Sequence, residues 1–283
     1  MDVRSGDGVK IMKQGIYYDI SNEDYHNGAG ISKSQLDFIE ESPALYQWVK
    51  NAPVDKSKMS SLDMGTAFHC LLLEPEEFKR RFIIPKPINL RTNAGKAEYQ
   101  ELLKEAEEFN QAIITNEDYR KLLLMRDSAM AHPLAKWIIE ERGYTESSIY
   151  WNDIDTDILC RCRPDKFIEK FNWVADIKTS ADIDRFYAHS YDYRYHVQDS
   201  FYSDGVQSIT GEKPTFVFLV VSTTINCGRY PVKTFMLDEV AKNIGRQAYK
   251  ANLFRFKQCT VDNNFPALQT LSLPYWAKEL KNE

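Results

Sequence analysis

The sequence predicts an α/β chain with a mixed central sheet flanked by helices, and three observations lead there. Two neighbouring runs of β-formers, residues 147–151 and 157–163, face each other across an acidic turn at 152–156 and read as a hairpin. A third strand starts at Trp173, and the stretch 215–223 is so uniformly apolar that it belongs inside a sheet covered on both faces. Around these strands, apolar residues recur every three or four positions, the period of helices that pack through one side.

Composition narrows the class. The chain has 283 residues, enough for a full core, and 36 basic against 41 acidic residues give a net charge of −5. That balance argues against an indiscriminate polyanion binder. No apolar run approaches the roughly eighteen residues that a membrane span needs, so no membrane partner is expected. The first residues are polar and lack an apolar signal region, so the chain is expected in the cytoplasm, with 1–14 a disordered tail and 15–283 one domain. Cys70, Cys160, Cys162, Cys227 and Cys259 are an odd number; those in strands or helices read as small apolar fillers, and the set is too sparse for a zinc or iron–sulfur site.

The chemistry gathers in Arg163-Pro164-Asp165 and the strand from Trp173 to Ser180. Side chains alternate along a strand, so Asp176 and Lys178 share a face while Ile177 points the other way; Asp165 ends the preceding strand and lies beside them. Two carboxylates held close repel unless a cation sits between them, and hard oxygen donors suit Mg²⁺ or Mn²⁺. Such a metal polarises a phosphodiester and activates water, and Lys178 is placed to orient that water, help deprotonate it or stabilise the pentavalent phosphorus. An Asp-x-Lys pair alone is usually a solvated ion pair; its context distinguishes this one.

Taken in order, Ser32 or Ser34 caps a helix through Gln35 and Ile39, whose free N–H groups can receive an anion. A helix over 61–73 packs Met64, Phe68, Leu71 and Leu72, with His69 on an adjacent face. From residue 79 to 96, Lys79, Arg80, Arg81, Lys86, Arg91 and Lys96 occur with no acid between them and with Pro85 and Pro87 breaking regularity. This reads as a loop or extended flap suited to a DNA backbone. Residues 96–143 are helical with no catalytic pattern. Tyr191, Tyr195, Gln198 and Tyr202 fall on one helical face; most tyrosines in 182–205 are expected as core anchors, while Gln198 and Tyr202 reach a cleft to position a phosphate or water. Pro231 marks 230–237 as an edge strand, and Asp238 caps a last helix whose Lys242, Arg246, Lys250, Arg255 and Lys257 are expected to form a partly basic outer surface.

Pro164-Asp165 with Asp176-Ile177-Lys178 resembles the signature of the PD-(D/E)xK nuclease superfamily. Gly65-Thr66-Ala67-Phe68-His69 and Gln198-Asp199-Ser200-Phe201-Tyr202 resemble the histidine helix and the Gln-x-x-x-Tyr helix of its RecB-like branch. The stretch from Ile31 to Leu36, Ser42-Pro43-Ala44 and the closing Leu273-Pro274-Tyr275-Trp276-Ala277 resemble the phage-type recombination exonucleases, the RecE nuclease domain (exodeoxyribonuclease VIII) most of all.

The resemblance implies a restriction-endonuclease-like fold and a Mg²⁺ site, tolerant of Mn²⁺, held by His69, Asp165, Asp176 and the Ile177 carbonyl. It implies catalysis by Asp165, Asp176, Lys178, Gln198 and Tyr202 and a contact of Ser34 with the terminal 5′-phosphate, beside which the density of cations makes Arg80, Arg81, Lys86 and Arg91 the expected contacts to the DNA backbone. It further implies 5′→3′ degradation of one strand of linear double-stranded DNA to leave 3′ overhangs, a ring-shaped homo-oligomer, tetrameric by preference, and cooperation with a single-strand annealing recombinase. A DNA endonuclease of the same fold and a noncatalytic DNA-binding assembly subunit remain alternatives.

Overall fold

The computed structural model describes residues 12–54, 64–274 and 277. The expected tail over 1–14 therefore lies almost wholly outside the described residues, as do 61–63 of the predicted 61–73 helix and Tyr275 and Trp276 of the closing motif.

The chain opens with strand β1 (Gly15–Tyr17) and helices α1 (Asn22–Asn27), α2 (Lys33–Glu41) and α3 (Pro43–Asn51). Helices α4 (Met64–Leu73) and α5 (Pro75–Arg81), strand β2 (Phe82–Ile83), helix α6 (Asn93–Glu108), strand β3 (Ala112–Ile113) and helices α7 (Asn116–Ala131) and α8 (Pro133–Glu140) follow. Then come the strands β4 (Tyr144–Thr145), β5 (Ser148–Asn152), β6 (Leu159–Cys162), β7 (Lys166–Ile168) and β8 (Trp173–Ser180). Helices α9 (Phe186–Asp192) and α10 (Tyr195–Thr210), strands β9 (Thr215–Ser222) and β10 (Val232–Phe235), and the long helix α11 (Glu239–Val261) complete it.

Local chemistry accounts for many of the boundaries. Ser32 starts α2 with a full capping box, its hydroxyl on the Gln35 N–H and the Gln35 side chain on its own N–H. Thr115 caps α7 and Asp238 caps α11 in the same position. Pro133 begins α8 immediately beyond the end of α7, since proline fits a first helical turn but not an interior one.

The expected hairpin forms with Ile149 opposite Cys162 and Trp151 opposite Cys160. It belongs, however, to a separate sheet of order β1-β5-β6, while the main sheet runs β10-β9-β8-β7-β4. The division comes from β7, a three-residue strand absent from the sequence reading, which pairs antiparallel with β8 through Lys166–Ala175 and Ile168–Trp173. Asp165 thus sits on the link between the two sheets, one residue before β7.

Strands β8 and β9 pair in parallel over their full length, as a helical crossover requires. Val174, Phe216, Phe218 and Val220 face α10 and α11 in one core, and Ile177, Leu219 and Val221 face α4 and α7 in another. Helices α10 and α11 approach closely because Gly245 has no side chain: a Cβ there would lie 2.0 Å from the His196 carbonyl oxygen.

Three sequence expectations change. The segment 79–96 is only partly a loop, because Lys79, Arg80 and Arg81 form the last turn of α5, where cations offset the helix dipole. Tyr191 does not share a helix face with Gln198 and Tyr202: the chain breaks at Arg194, whose φ of 57° is left-handed, and α10 starts afresh. The cations of α11 form a basic outer surface only in part, at Arg255 and Lys257, which stay exposed. Arg246 is held by Asp204, Lys250 by Asp153 and Asp155, and Arg255 by the Ile39 carbonyl, while Lys242 is buried.

Candidate active site

The site forms beyond Ala175, where β8 keeps β9 on one edge but no longer has β7 on the other. Asp176 and Lys178 project from β8 towards α10, and their ion pair measures 2.6 Å from Nζ to Oδ2. Gln198, on α10, donates from Nε2 to the other oxygen of Asp176. The Lys178 ammonium also lies 4.7 Å from the Tyr195 ring centroid, a cation–π contact in a largely desolvated position.

Asp165 approaches from the open side of β8. Its Oδ2 accepts the Ile177 N–H at 2.6 Å, replacing the ladder partner that β7 no longer supplies. The N–H and C=O of one strand residue point to the same edge, so the Ile177 carbonyl also faces this side. His69 comes from α4 on the opposite face of the sheet, with Nδ1 3.4 Å from Asp165 Oδ2. Arg163 steadies the approach: it donates to Ser148 Oγ at 2.6 Å and to the Ile20 carbonyl at 3.0 Å, and lies over the Tyr25 ring.

Charge is divided unequally. Burial raises Asp165, but His69 and Lys178 and the Ile177 N–H outweigh it and hold the carboxyl below its ordinary range. Burial dominates at Asp176, and with repulsion from Asp165 it raises that carboxyl despite Lys178. Burial would neutralise Lys178, but Asp176 and Asp165 hold its proton more firmly than usual. Burial likewise opposes the His69 charge, and Asp165 reverses this, lifting the imidazole to about 9.

This donor set fits a divalent cation in kind: the buried Asp176 carboxylate, the half-buried Asp165 carboxylate, an imidazole and a backbone carbonyl. Asp176 Oδ2 is buried and makes no hydrogen bond beyond its ion pair with Lys178. Among the described residues, no three His, Cys, Asp or Glu side chains already converge as a cage; the Lys178 ammonium and the His69 imidazolium balance the acids instead.

The structure brings together His69, Asp165, Asp176, Ile177, Lys178 and Gln198. Tyr202 lies one turn beyond Gln198, and burial first, then Tyr25, Cys162, Asp176 and Asp165, hold its phenol well above the ordinary value. Ser34 stands in the first turn of α2 with its hydroxyl 3.1 Å from that of Ser32. Arg80 is paired with Glu77, Lys86 and Arg91 are exposed, and Arg81 lines a polar cavity of about 540 Å³ that reaches His69.

The same cavity contains Glu146, which the sequence reading passed over. Its N–H donates to the Asp165 carbonyl at 3.2 Å. Burial, then the Asp165 charge, raise its carboxyl to about 7, against the pull of Arg163. Glu146 has a φ of 51°, and a lone glutamate in a short connection carries no pattern that would mark it.

No curated protein matches this sequence significantly. A crystal structure of a "putative exonuclease" from Eubacterium rectale shares the fold, with a TM-score of 0.54 and 11% identity over 93% of this chain and 98% of that one. Residues 32–269 match the family described as PDDEXK-like domain of unknown function (DUF3799). The match runs through α2, the hairpin, the Asp-Ile-Lys strand and α11, and the chain belongs to that PDDEXK-like family.

Proposed function

We propose that the protein is a metal-dependent 5′→3′ exodeoxyribonuclease that degrades one strand of linear double-stranded DNA from its ends and leaves 3′ overhangs for recombination by strand annealing. The observation that carries a phosphodiester hydrolase is the meeting of Asp165, Asp176, Lys178 and Gln198 at the free edge of β8, with His69 reaching Asp165 from the far face. Polarity, a ring-shaped homo-oligomer, tetrameric by preference, and an annealing recombinase as partner rest on the motif resemblance. No helix among the described residues is long and apolar enough to cross a membrane. In a ring, a net-acidic chain can concentrate its cations around the duplex.

His69, Asp165, Asp176 and the Ile177 carbonyl would hold Mg²⁺, with Mn²⁺ tolerated because imidazole suits the softer ion. Bound there, the cation would polarise the phosphodiester and make a water acidic enough to attack it. The chain's own groups supply the rest. Asp176 and Asp165 make Lys178 hold its proton more firmly than usual, which suits a donor that orients water and offsets charge developing on phosphorus. Gln198 fixes Asp176 by Oδ1, so a bound cation would take Oδ2 from, or share it with, the Lys178 ammonium now beside it. Tyr202 remains a neutral phenol and can donate to a phosphate oxygen.

The test uses linear duplex labelled at either the 5′ or the 3′ end, beside a closed circle of the same sequence, with Mg²⁺. Early release of 5′ label with the circle intact is expected. Cutting of the circle would establish an endonuclease, and no cleavage with Mg²⁺ or Mn²⁺ would establish a noncatalytic DNA-binding protein.

A further inference from the structure

The tyrosines of the β8–α10 connection are not core anchors. Tyr187, Tyr191 and Tyr193 are 76%, 71% and 60% exposed, whereas Phe186 beside them is buried. Tyr187 and Tyr191 stand four residues apart on α9 and so share one side of it. Through Tyr195 the Tyr193 ring leads to Lys178 on β8. The Tyr193 ring is 5.7 Å from that of Tyr195, which covers the Lys178 ammonium, and Tyr191 stacks at 5.4 Å and 7° on His196. His189 ties the helix to the end of β8, its Nδ1 lying 3.4 Å from Ser180 Oγ. Lys33, paired with Asp37, donates to the Tyr193 carbonyl at 3.3 Å and so holds α2 against this connection. Of the nearby acids, Asp184 is engaged by Lys233 and Asp37 by Lys33 and Arg194, while Asp182 accepts the Arg185 N–H and Asp192 is the one acid on α9.

Resting on the nuclease reading above, the geometry points to single-stranded DNA as the occupant of this surface, with unpaired bases stacking on Tyr187, Tyr191 and Tyr193 at the mouth of the site. An enzyme that hydrolyses one strand of a duplex must open the terminal pairs, and rigid aromatic faces recover the stacking those bases lose. Such platforms accept any base, because every base offers a π-face. A tyrosine ring gives that face at little entropic cost, and a patch whose purpose was only to close a core would not leave three rings in water.

The experiment measures binding of an oligodeoxythymidylate containing 2-aminopurine to the full chain in EDTA, where hydrolysis cannot occur. Wild type should quench the fluorophore. Tyr187→Ala/Tyr191→Ala/Tyr193→Ala should lose the quench and bind at least about tenfold more weakly, while the corresponding triple Phe variant keeps both. Equal quenching by the Ala variant, or none by wild type, overturns the platform. A sedimentation change in the Ala variant with oligonucleotide binding intact also overturns it, in favour of a subunit contact. Failure of wild type to cleave duplex DNA with Mg²⁺ or Mn²⁺ would instead remove the nuclease reading, and the quench is read without it.

Discussion

Asp165 and Ile177 are twelve positions apart, and the carboxylate of the first closes the backbone of the second with a 2.6 Å hydrogen bond. The acid therefore does two things at once: it completes a strand edge and presents charge beside Asp176. Asp165→Asn separates these roles, since its amide oxygen can still accept from Ile177 N–H. Thermal unfolding should shift by only a few degrees, while Mg²⁺-dependent release of nucleotides falls about a hundredfold or more. Cleavage at the wild-type rate would remove Asp165 from the chemistry.

Lys178→Ala leaves Asp176 buried without its cation, so the carboxyl should rise further and take a proton. The expected result is duplex binding within about threefold of wild type and cleavage lowered by about a hundredfold or more. Gel-shift titration in Ca²⁺ beside an initial-rate assay in Mg²⁺ distinguishes this from a general loss of the site.

Stability of the metal-free protein should depend on His69. Its folded value of about 9 exceeds the ordinary 6.5, so the unfolded chain releases this proton first. The stabilisation is complete below pH 6.5 and is lost as pH rises through about 9. It is of order 1–3 kcal/mol. Urea midpoints measured in EDTA should fall across that window, and His69→Gln should flatten the fall; an equal slope in both proteins would show that the pair with Asp165 contributes nothing.

Gly245→Ala directs a methyl group at the His196 carbonyl oxygen, a backbone atom that cannot swing aside. The variant should lose about 1–3 kcal/mol in chemical denaturation. Because α10 must retreat to make room, cleavage should fall beyond what the unfolded fraction explains. A rate that simply follows the folded fraction would mean that Gln198 is insensitive to this packing.

Among the cations of residues 79–96, the pairing pattern separates expected contributors from bystanders. Arg80→Ala alone should leave the salt dependence of duplex binding unchanged, because Glu77 already holds that guanidinium. Lys86→Ala with Arg91→Ala should lower the slope by about 0.9 for each phosphate contact removed. Fluorescence anisotropy across a salt series reads both, and an unchanged slope in the double variant would take this segment out of the interface.

Asp176, Lys178 and Gln198 were legible because their relation is set by period: two along a strand and three to four along a helix. His69 was legible only through its motif, since a histidine beside leucines is ordinarily a core residue. Strand β7 escaped notice because three residues carry no alternation, and without it the two sheets read as one. Glu146 and Arg194 escaped for a shared reason. Both take positive φ without being glycine or asparagine, so residue type does not announce the turn. Arg246 and Lys250 of α11 were misread because their acids, Asp204, Asp153 and Asp155, are remote in sequence and met only on folding.

The parallel pairing of β8 with β9 also sets an order in time. Asp165, Asp176 and Lys178 leave the ribosome before the crossover that carries Gln198, and the crossover cannot dock until β9 has been synthesised and has found its register. A nascent chain that stops short of residue 215 thus holds its acids and its lysine without the frame that aligns them. Degradative competence arrives with the last third of the polypeptide, so truncated translation products carry the motif but not the hazard.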